Sequence, residues 1–292
     1  MYELVQVSDN DYYIKSPTNV GLVRLNDKDV CIIDSGNDKE AGRKIRQILD
    51  ANGWNLVAIY NTHSHADHIG GNRYLQSQTG CKVYASGIEC DFTNHTILEP
   101  ISLYGGYPMD ELCHKFLMAQ ESDCLPLTDS NIPEGFEIIP LPGHSFDMVG
   151  FLTKDDTVFL ADCLSSRATL KKYRISFIHD VGRCIETLEK VKGMKAKMFI
   201  PAHVEATEDI SELAQYNIDS ILSVGDHIVE ICDSPITVEN IVKRLFDDYG
   251  LKMTMAEYVL ISSTVRSYLS WLKDGGRLRS CFIDNILYWE RV

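Results

Sequence analysis

The sequence predicts an α+β fold, and three features of its 292 residues carry that expectation. Short apolar or alternating runs fill the first 35 positions and read as a β meander. Residues 29 to 85 then alternate strand and helix in the order β-α-β-α-β, so helices cover a sheet that began as a meander. Strand-like runs return from residue 136 onward, and several lead into a histidine or an aspartate.

The elements follow in order. Leu4 to Val7, Tyr12 to Lys15, Val20 to Leu25 and Asp29 to Asp34 are the meander strands, separated by Asp-Asn, Pro-Thr-Asn and Asn-Asp turn signals. Asn37 or Asp38 is placed to cap a helix with the buried stripe Ile45, Ile48 and Leu49, which stops at Asn52-Gly53. The run Leu56 to Tyr60 is the next strand. A histidine-rich loop, a helix from about Ile69 to Gln78 and a strand over Lys82 to Ala85 come after it.

Residues 91 to 130 break the rhythm. The stretch Leu98 to Pro108 is rich in Pro, Gly and Tyr, and Asp110 to Gln120 reads as a helix. An excursion of this length is expected to cover a binding site, with Tyr104 and Tyr107 as candidate substrate contacts. Strands return at Phe136 to Leu141, Val149 to Thr153 and Thr157 to Leu160. A helix from about Asp180 to Val191 and a strand over Lys197 to Ile200 follow. A long helix from about Asp209 to Cys232 ends at Asp233-Ser234-Pro235. Beyond it, Thr237 to Tyr249 and Met255 to Leu272 are helical, and Leu278 to Cys281 with Asn285 to Trp289 form a hairpin. The expected division is a catalytic domain over 1–232 and a small winged-helix-like module over 233–292.

Composition excludes several classes. Hydrophobic residues at 45% and charged residues at 24% are ordinary for a globular chain. No apolar run approaches the roughly 20 residues that cross a bilayer, and the start shows no signal peptide. Nine cysteines lie without a C-x-x-C pair, in a number and spacing that fit reduced thiols, so a cytoplasmic location is expected. The net charge of −14 disfavours nucleic acid as a partner. It is unevenly spread: 8 Lys and Arg stand against 7 Asp and Glu from Ile236 onward, and 20 against 35 before it. The near-neutral tail suits a dimerisation or pocket-covering role better than nucleic-acid binding, so a homodimer is possible.

The chemistry concentrates in Asn61-Thr62-His63-Ser64-His65-Ala66-Asp67-His68-Ile69-Gly70-Gly71. In an extended loop positions 63 and 65 project the same way, so two imidazoles meet one ion. Asp67 and His68 are adjacent and cannot share that direction, which points to a second ion. Three further strand ends each lead to one more donor: His144 in Pro-Gly-His, Asp162 in Ala-Asp-Cys and His203 in Pro-Ala-His. Cys163 beside Asp162 faces the other way on a strand and is not required as a nucleophile. His95, His114, His179 and His227 lack partners at ligand spacing.

His63-x-His65-x-Asp67-His68, His144, Asp162 and His203, with Asp34 at an early strand end, resemble in order the metallo-β-lactamase fold hydrolases over about residues 1 to 210. The resemblance implies a four-layer αββα sandwich with the site at one edge of its paired sheets. It implies that His63, His65 and His144 bind one metal ion, that Asp67, His68 and His203 bind the other, that Asp162 bridges, and that Asp34 supports without ligating. Two divalent ions, zinc first and iron or manganese as alternatives, would then share a hydroxide, because a bound ion lowers the pKa of water toward about 7. Within the resemblance the glyoxalase II-like group fits best, with Asp67 and Asp162 in catalytic positions and a small-molecule thioester, lactone or related ester as substrate. The alternatives are a persulfide dioxygenase using a single iron held by two His and one Asp, and a ligand sensor that keeps the metal site beside a winged-helix interaction domain.

Overall fold

A computed structural model describes residues 2–292. The first sheet opens with β1 (Glu3–Gln6), β2 (Asp11–Lys15), β3 (Val20–Arg24) and β4 (Asp29–Ile33), all antiparallel. Helix α1 (Lys39–Asn52) follows, started by the Asp38 carboxylate accepting from the Ala41 N–H and stopped by Gly53 in the left-handed region. Then come β5 (Asn55–Tyr60), the short α2 (Ala66–Ile69), α3 (Asn72–Thr79), β6 (Lys82–Ala85), α4 (Gly87–Asn94), α5 (Leu98–Tyr104) and the edge strand β7 (Cys124–Pro126). From β4 to β7 the strands run parallel, and the whole is a seven-stranded sheet in sequence order.

The second sheet contains β8 (Glu137–Pro140), β9 (Val149–Leu152) and β10 (Thr157–Ala161). After α6 (Arg167–Tyr173) and α7 (Val181–Gly193) it is completed by β11 (Met198–Pro201), which lies parallel to β10, giving the order β11-β10-β9-β8. The chain closes with α8 (Ser211–Ile231), α9 (Val238–Tyr249), α10 (Met255–Asp274) and the hairpin of β12 (Leu278–Ile283) with β13 (Ile286–Arg291).

Strand alternation stacks these parts in four layers. On β4, Val30 and Ile32 face α1 and α3, where they meet Ile45, Leu49 and Leu75, while Cys31 and Ile33 face the second sheet. Phe159 of β10 joins that inter-sheet core with Phe151, Phe136 and Tyr60. Its neighbours Val158 and Leu160 turn outward into a third cluster built with α7, α8, α9 and α10. The order is therefore helices, sheet, sheet, helices: the αββα sandwich.

Two local expectations change. The helix expected over Ile69 to Gln78 is broken between α2 and α3 at Gly70-Gly71, because the chain there is packed against its own earlier backbone. A Cβ on Gly70 would lie 2.3 Å from the Asn37 carbonyl carbon, and one on Gly71 would lie 2.3 Å from the Ser35 carbonyl oxygen. The helix expected over Asp110 to Gln120 is a single 3₁₀ turn, Asp110–Leu112. Leu112 and Leu117 both anchor into a small core with Leu103 and with Val259 of α10, and residues five apart cannot share one helix face. That core ties the insertion to the C-terminal helices. Among the described residues no helix is long and apolar enough to cross a membrane.

Candidate metal centre

Five strand ends bring the site together at one edge of the two sheets. The loop after β5 supplies His63, His65, Asp67 and His68, and the loop after β8 supplies His144. Asp162 follows β10, His203 follows β11, and Asp34 follows β4. All seven residues read as ligand candidates meet there, in two groups: His63, His65 and His144 form one, and Asp67, His68, Asp162 and His203 the other.

In the first group the His65 Nδ1 lies 3.0 Å from both His63 Nε2 and His144 Nε2. Their outer nitrogens explain the geometry. The Thr62 hydroxyl donates to Asp34 Oδ2 at 2.8 Å, so it accepts from His63 Nδ1 at 3.0 Å. His144 Nδ1 donates to the Phe177 carbonyl at 3.2 Å, and His65 Nε2 faces Glu99 at 3.5 Å. With the protons held outside, three lone pairs converge on one point. Burial, together with the charges of neighbouring histidines, pushes His63 well below its ordinary value and His65 down to about 3. Neutral, inward-facing imidazoles in a buried pocket are what a cation needs and what nothing else in the pocket satisfies.

The second group carries the carboxylates. Asp162 reaches His68 Nε2 at 3.2 Å, His203 Nε2 at 3.1 Å and, toward the first group, His144 Nε2 at 3.6 Å. It stands between the two clusters because β10 is irregular in register just before it and Ala161 adopts a φ of 52°. Asp67 Oδ2 lies 3.2 Å from His203 Nε2 and accepts from the Thr18 hydroxyl at 3.1 Å. Burial works against charge on Asp162, but His203 and His68 hold it well below the usual carboxylate range. Conversely, Asp162 draws His203 up to about 11, and Asp162, Asp67 and Asp34 raise His68 against the effect of burial. His68 Nε2 and Asp162 Oδ1 are both buried and face each other at 3.2 Å without hydrogen-bond geometry.

Asp34 does not enter either group. At a φ of 65° it turns its carboxylate back under the loop, accepting from the Thr62 N–H and from His68 Nδ1, each at 2.8 Å. It thereby fixes which nitrogen of His68 faces the site and, through Thr62, does the same for His63. Glu89 is a partner that the sequence does not signal. Its buried carboxylate accepts from the Ser64 N–H and hydroxyl at 2.9 and 2.6 Å, and from the Ser145 hydroxyl and Asp147 N–H at 2.7 and 3.0 Å. It clamps the loop of His63 and His65 to the loop of His144. Nothing in the spacing of Glu89 shows this, because its partners lie 25 and 56 positions away. Glu99, equally unmarked, is pushed up to about 8 by burial and by the charges of Glu89 and Asp67.

The remaining candidates belong to neither donor group. Cys163 is buried, and desolvation raises its thiol well above the ordinary value, so it is no nucleophile. Tyr104 and Tyr107 are 43% and 82% exposed, and neither lines the cavity of about 240 Å³ that opens beside His144, Asp162 and His203.

An αββα sandwich with two clusters of inward-facing metal donors at its sheet edge defines a class of metal-dependent proteins. The pattern of the Metallo-beta-lactamase superfamily matches residues 14–203, and the chain belongs to that superfamily. Among curated relatives it is 31% identical over 147 residues to hydroxyacylglutathione hydrolase GloC of Haemophilus influenzae, covering 50% of this chain and 66% of that one. It is 27% identical over 255 residues to hydroxyacylglutathione hydrolase 1 of Vibrio vulnificus, covering 83% and 87%. The match to the first spans just under two thirds of that relative. Among solved structures, a beta-lactamase domain protein from Burkholderia ambifaria superposes with a TM-score of 0.76 at 16% identity, over 99% of this chain and 94% of its own. A metallo-beta-lactamase family protein from Thermus thermophilus gives 0.72 at 14% identity, over 100% and 98%.

Proposed function

We propose that this protein is a metal-dependent hydrolase with a dinuclear centre that cleaves a thioester or a related ester. The observation that carries the reading is the convergence of the inward-facing nitrogens of His63, His65 and His144 beside the Asp162 carboxylate and the second cluster, since that donor set suits one or two divalent ions. His63, His65 and His144 would hold one ion, Asp67, His68 and His203 the other, and Asp162 both. When bound, the ions supply an activated water at neutral pH and polarise the acyl carbonyl. A single iron held by two His and one Asp could keep the same residues, and metal content with dioxygen consumption separates the two. The relatives' printed names, hydroxyacylglutathione hydrolases, support thioester cleavage.

The chain's own residues orient and exclude. Asp34, Thr62, and the Phe177 and Pro17 carbonyls hold His68, His63, His144 and His203 by their Nδ1 atoms, which keeps each Nε2 aimed inward. Hydrolysis forms a bond from the oxygen of water to the acyl carbon and breaks the C–S bond. The sulfur leaves as a thiolate of pKa about 8.5, which needs no separate general acid. Zinc is the expected metal, with iron or manganese as alternatives, and the tail 233–292 is the expected cover of the pocket.

Metal analysis of the purified protein should find about two ions per chain, and a panel of thioesters, lactones, phosphodiesters and β-lactams should show thioester turnover. Asp67→Ala and Asp162→Ala should each lower kcat/KM by about 100-fold or more while the fold persists by circular dichroism. Full activity after complete metal removal would overturn the reading, and dioxygen consumption with a persulfide would replace it with the oxygenase.

A further inference from the structure

The cavity beside the two donor clusters has a chemistry unlike theirs. His144, Asp162 and His203 form one end, and the walls are Leu164, Leu170, Phe177, Ile221, Leu260 and Ile261. No lysine or arginine lines it, and beyond Asp162 its carboxylate is Glu257. Most of its polar groups are engaged with neighbours, and Tyr173 Oη accepts from Lys172 Nζ at 2.8 Å. Asn217 Oδ1 accepts from the Ser165 N–H at 2.9 Å, and its Nδ2 donates to the Ser165 and Leu213 carbonyls at 3.0 and 2.9 Å. The hydroxyls of Ser165 and Ser176 pair at 3.4 Å, and Thr169 Oγ1 pairs with Ser166 at 2.8 Å. A hydroxyl pushed into this space would lose water for few partners, and a carboxylate would meet Glu257 with no cation on the walls. Hydrocarbon would gain.

We propose that this cavity takes the acyl group of the substrate, and that the acyl group is an uncharged apolar chain or ring rather than a hydroxyacyl group. The inference rests on the thioester reading above and specifies its substrate class. At about 240 Å³ the cavity is smaller than the roughly 300–1,000 Å³ that holds a drug-sized ligand, so the acyl group is of medium length. The polar thiol carrier stays on the open side. Its walls come from the segment after β10 and from α6, α8 and α10, so the C-terminal helices set the preference.

Acetyl, butyryl, hexanoyl and octanoyl thioesters of N-acetylcysteamine share a neutral carrier and differ only in the chain. With metal-replete protein, kcat/KM should rise about two- to fourfold per methylene until the cavity is full, and should exceed that for a hydroxyacylglutathione. Leu260→Trp should lower the ratio of hexanoyl to acetyl kcat/KM at least about tenfold, with folding checked by circular dichroism. Binding of the non-hydrolysable 2-oxopropyl and 2-oxononyl thioethers of N-acetylcysteamine, measured by calorimetry, gives a readout that needs no turnover, and the longer should bind at least about tenfold more tightly. No hydrolysis of any thioester with length-dependent thioether binding intact would sink the thioester reading and support the apolar cavity. Chain-length-independent binding and turnover, or a preference for the hydroxyacylglutathione, would overturn the proposal.

Discussion

His68 shows how a single ring is set up as a metal donor. Asp34 holds its Nδ1 at 2.8 Å, leaving Nε2 buried and facing Asp162 at 3.2 Å. Asp34→Asn keeps a residue that tolerates the left-handed backbone but sets an amide N–H against a ring N–H or against Thr62. Metal affinity should fall about 10- to 100-fold, measured by competition with a chelator. The pH dependence of binding follows from His203. In the ion-free chain Asp162 raises it to about 11, above an unfolded value of about 6.5. That protonation stabilises the ion-free fold fully below about pH 6.5, and the contribution is lost as pH climbs through the folded value. An ion must displace the proton, so affinity should weaken as pH falls. Calorimetry at pH 7 in buffers of different ionisation enthalpy should register proton release on metal addition. These ligands were legible in the sequence because H-x-H-x-D-H packs four donors into six positions. Two outer partners were not, since the Nδ1 protons of His144 and His203 are directed by the Phe177 and Pro17 carbonyls, which only folding brings near.

At the scale of elements, the site is a joint between loops. Glu89, on α4, accepts four hydrogen bonds from the loops that carry His63, His65 and His144. Glu89→Ala would leave two backbone N–H groups and two hydroxyls short of a partner in a buried place. Unfolding free energy should drop by roughly 2–4 kcal/mol in urea titrations, and chelator competition should show weaker metal binding. The strands and long helices were readable because their apolar residues recur at periods of two or about 3.6. The segment 98–123 was not. Its anchors Leu103, Leu112 and Leu117 follow no period, because their spacing answers to Val259 on α10 rather than to a local helix. Tyr104 and Tyr107, singled out from this segment, are both exposed.

Across the whole molecule, the C-terminal helices are part of the wall. Ile241, Leu245, Phe246, Val265, Tyr268 and Leu269 are buried in the same cluster as Leu160 of β10 and Ile218 of α8. Residues in that cluster lose water only when both partners are present. A chain ended at residue 232 should therefore uncover apolar side chains of α8 that share this cluster, Ile218, Ile221, Val224, Ile228 and Ile231 among them, each with a burial free energy of about 1.5–3 kcal/mol. We expect it to aggregate or to melt well below the full chain, as read by thermal unfolding and limited proteolysis. The compositional shift near Pro235 marks a change in surface charge, which is a property of solvated side chains and says nothing about what is buried beneath them.

Sequence by itself determined which candidate donors are present and where they fall: they are coded by type and spacing at strand ends, and imidazole and carboxylate are groups that bind cations when a backbone brings them together. It also determined the order of strands and helices that makes the sandwich. Tertiary structure decided the rest. The proton positions on the histidines, the clamp at Glu89 and the apolar cavity against α10 depend on residues dozens to hundreds of positions apart. Their distances are set by packing, and packing is not written in any local pattern.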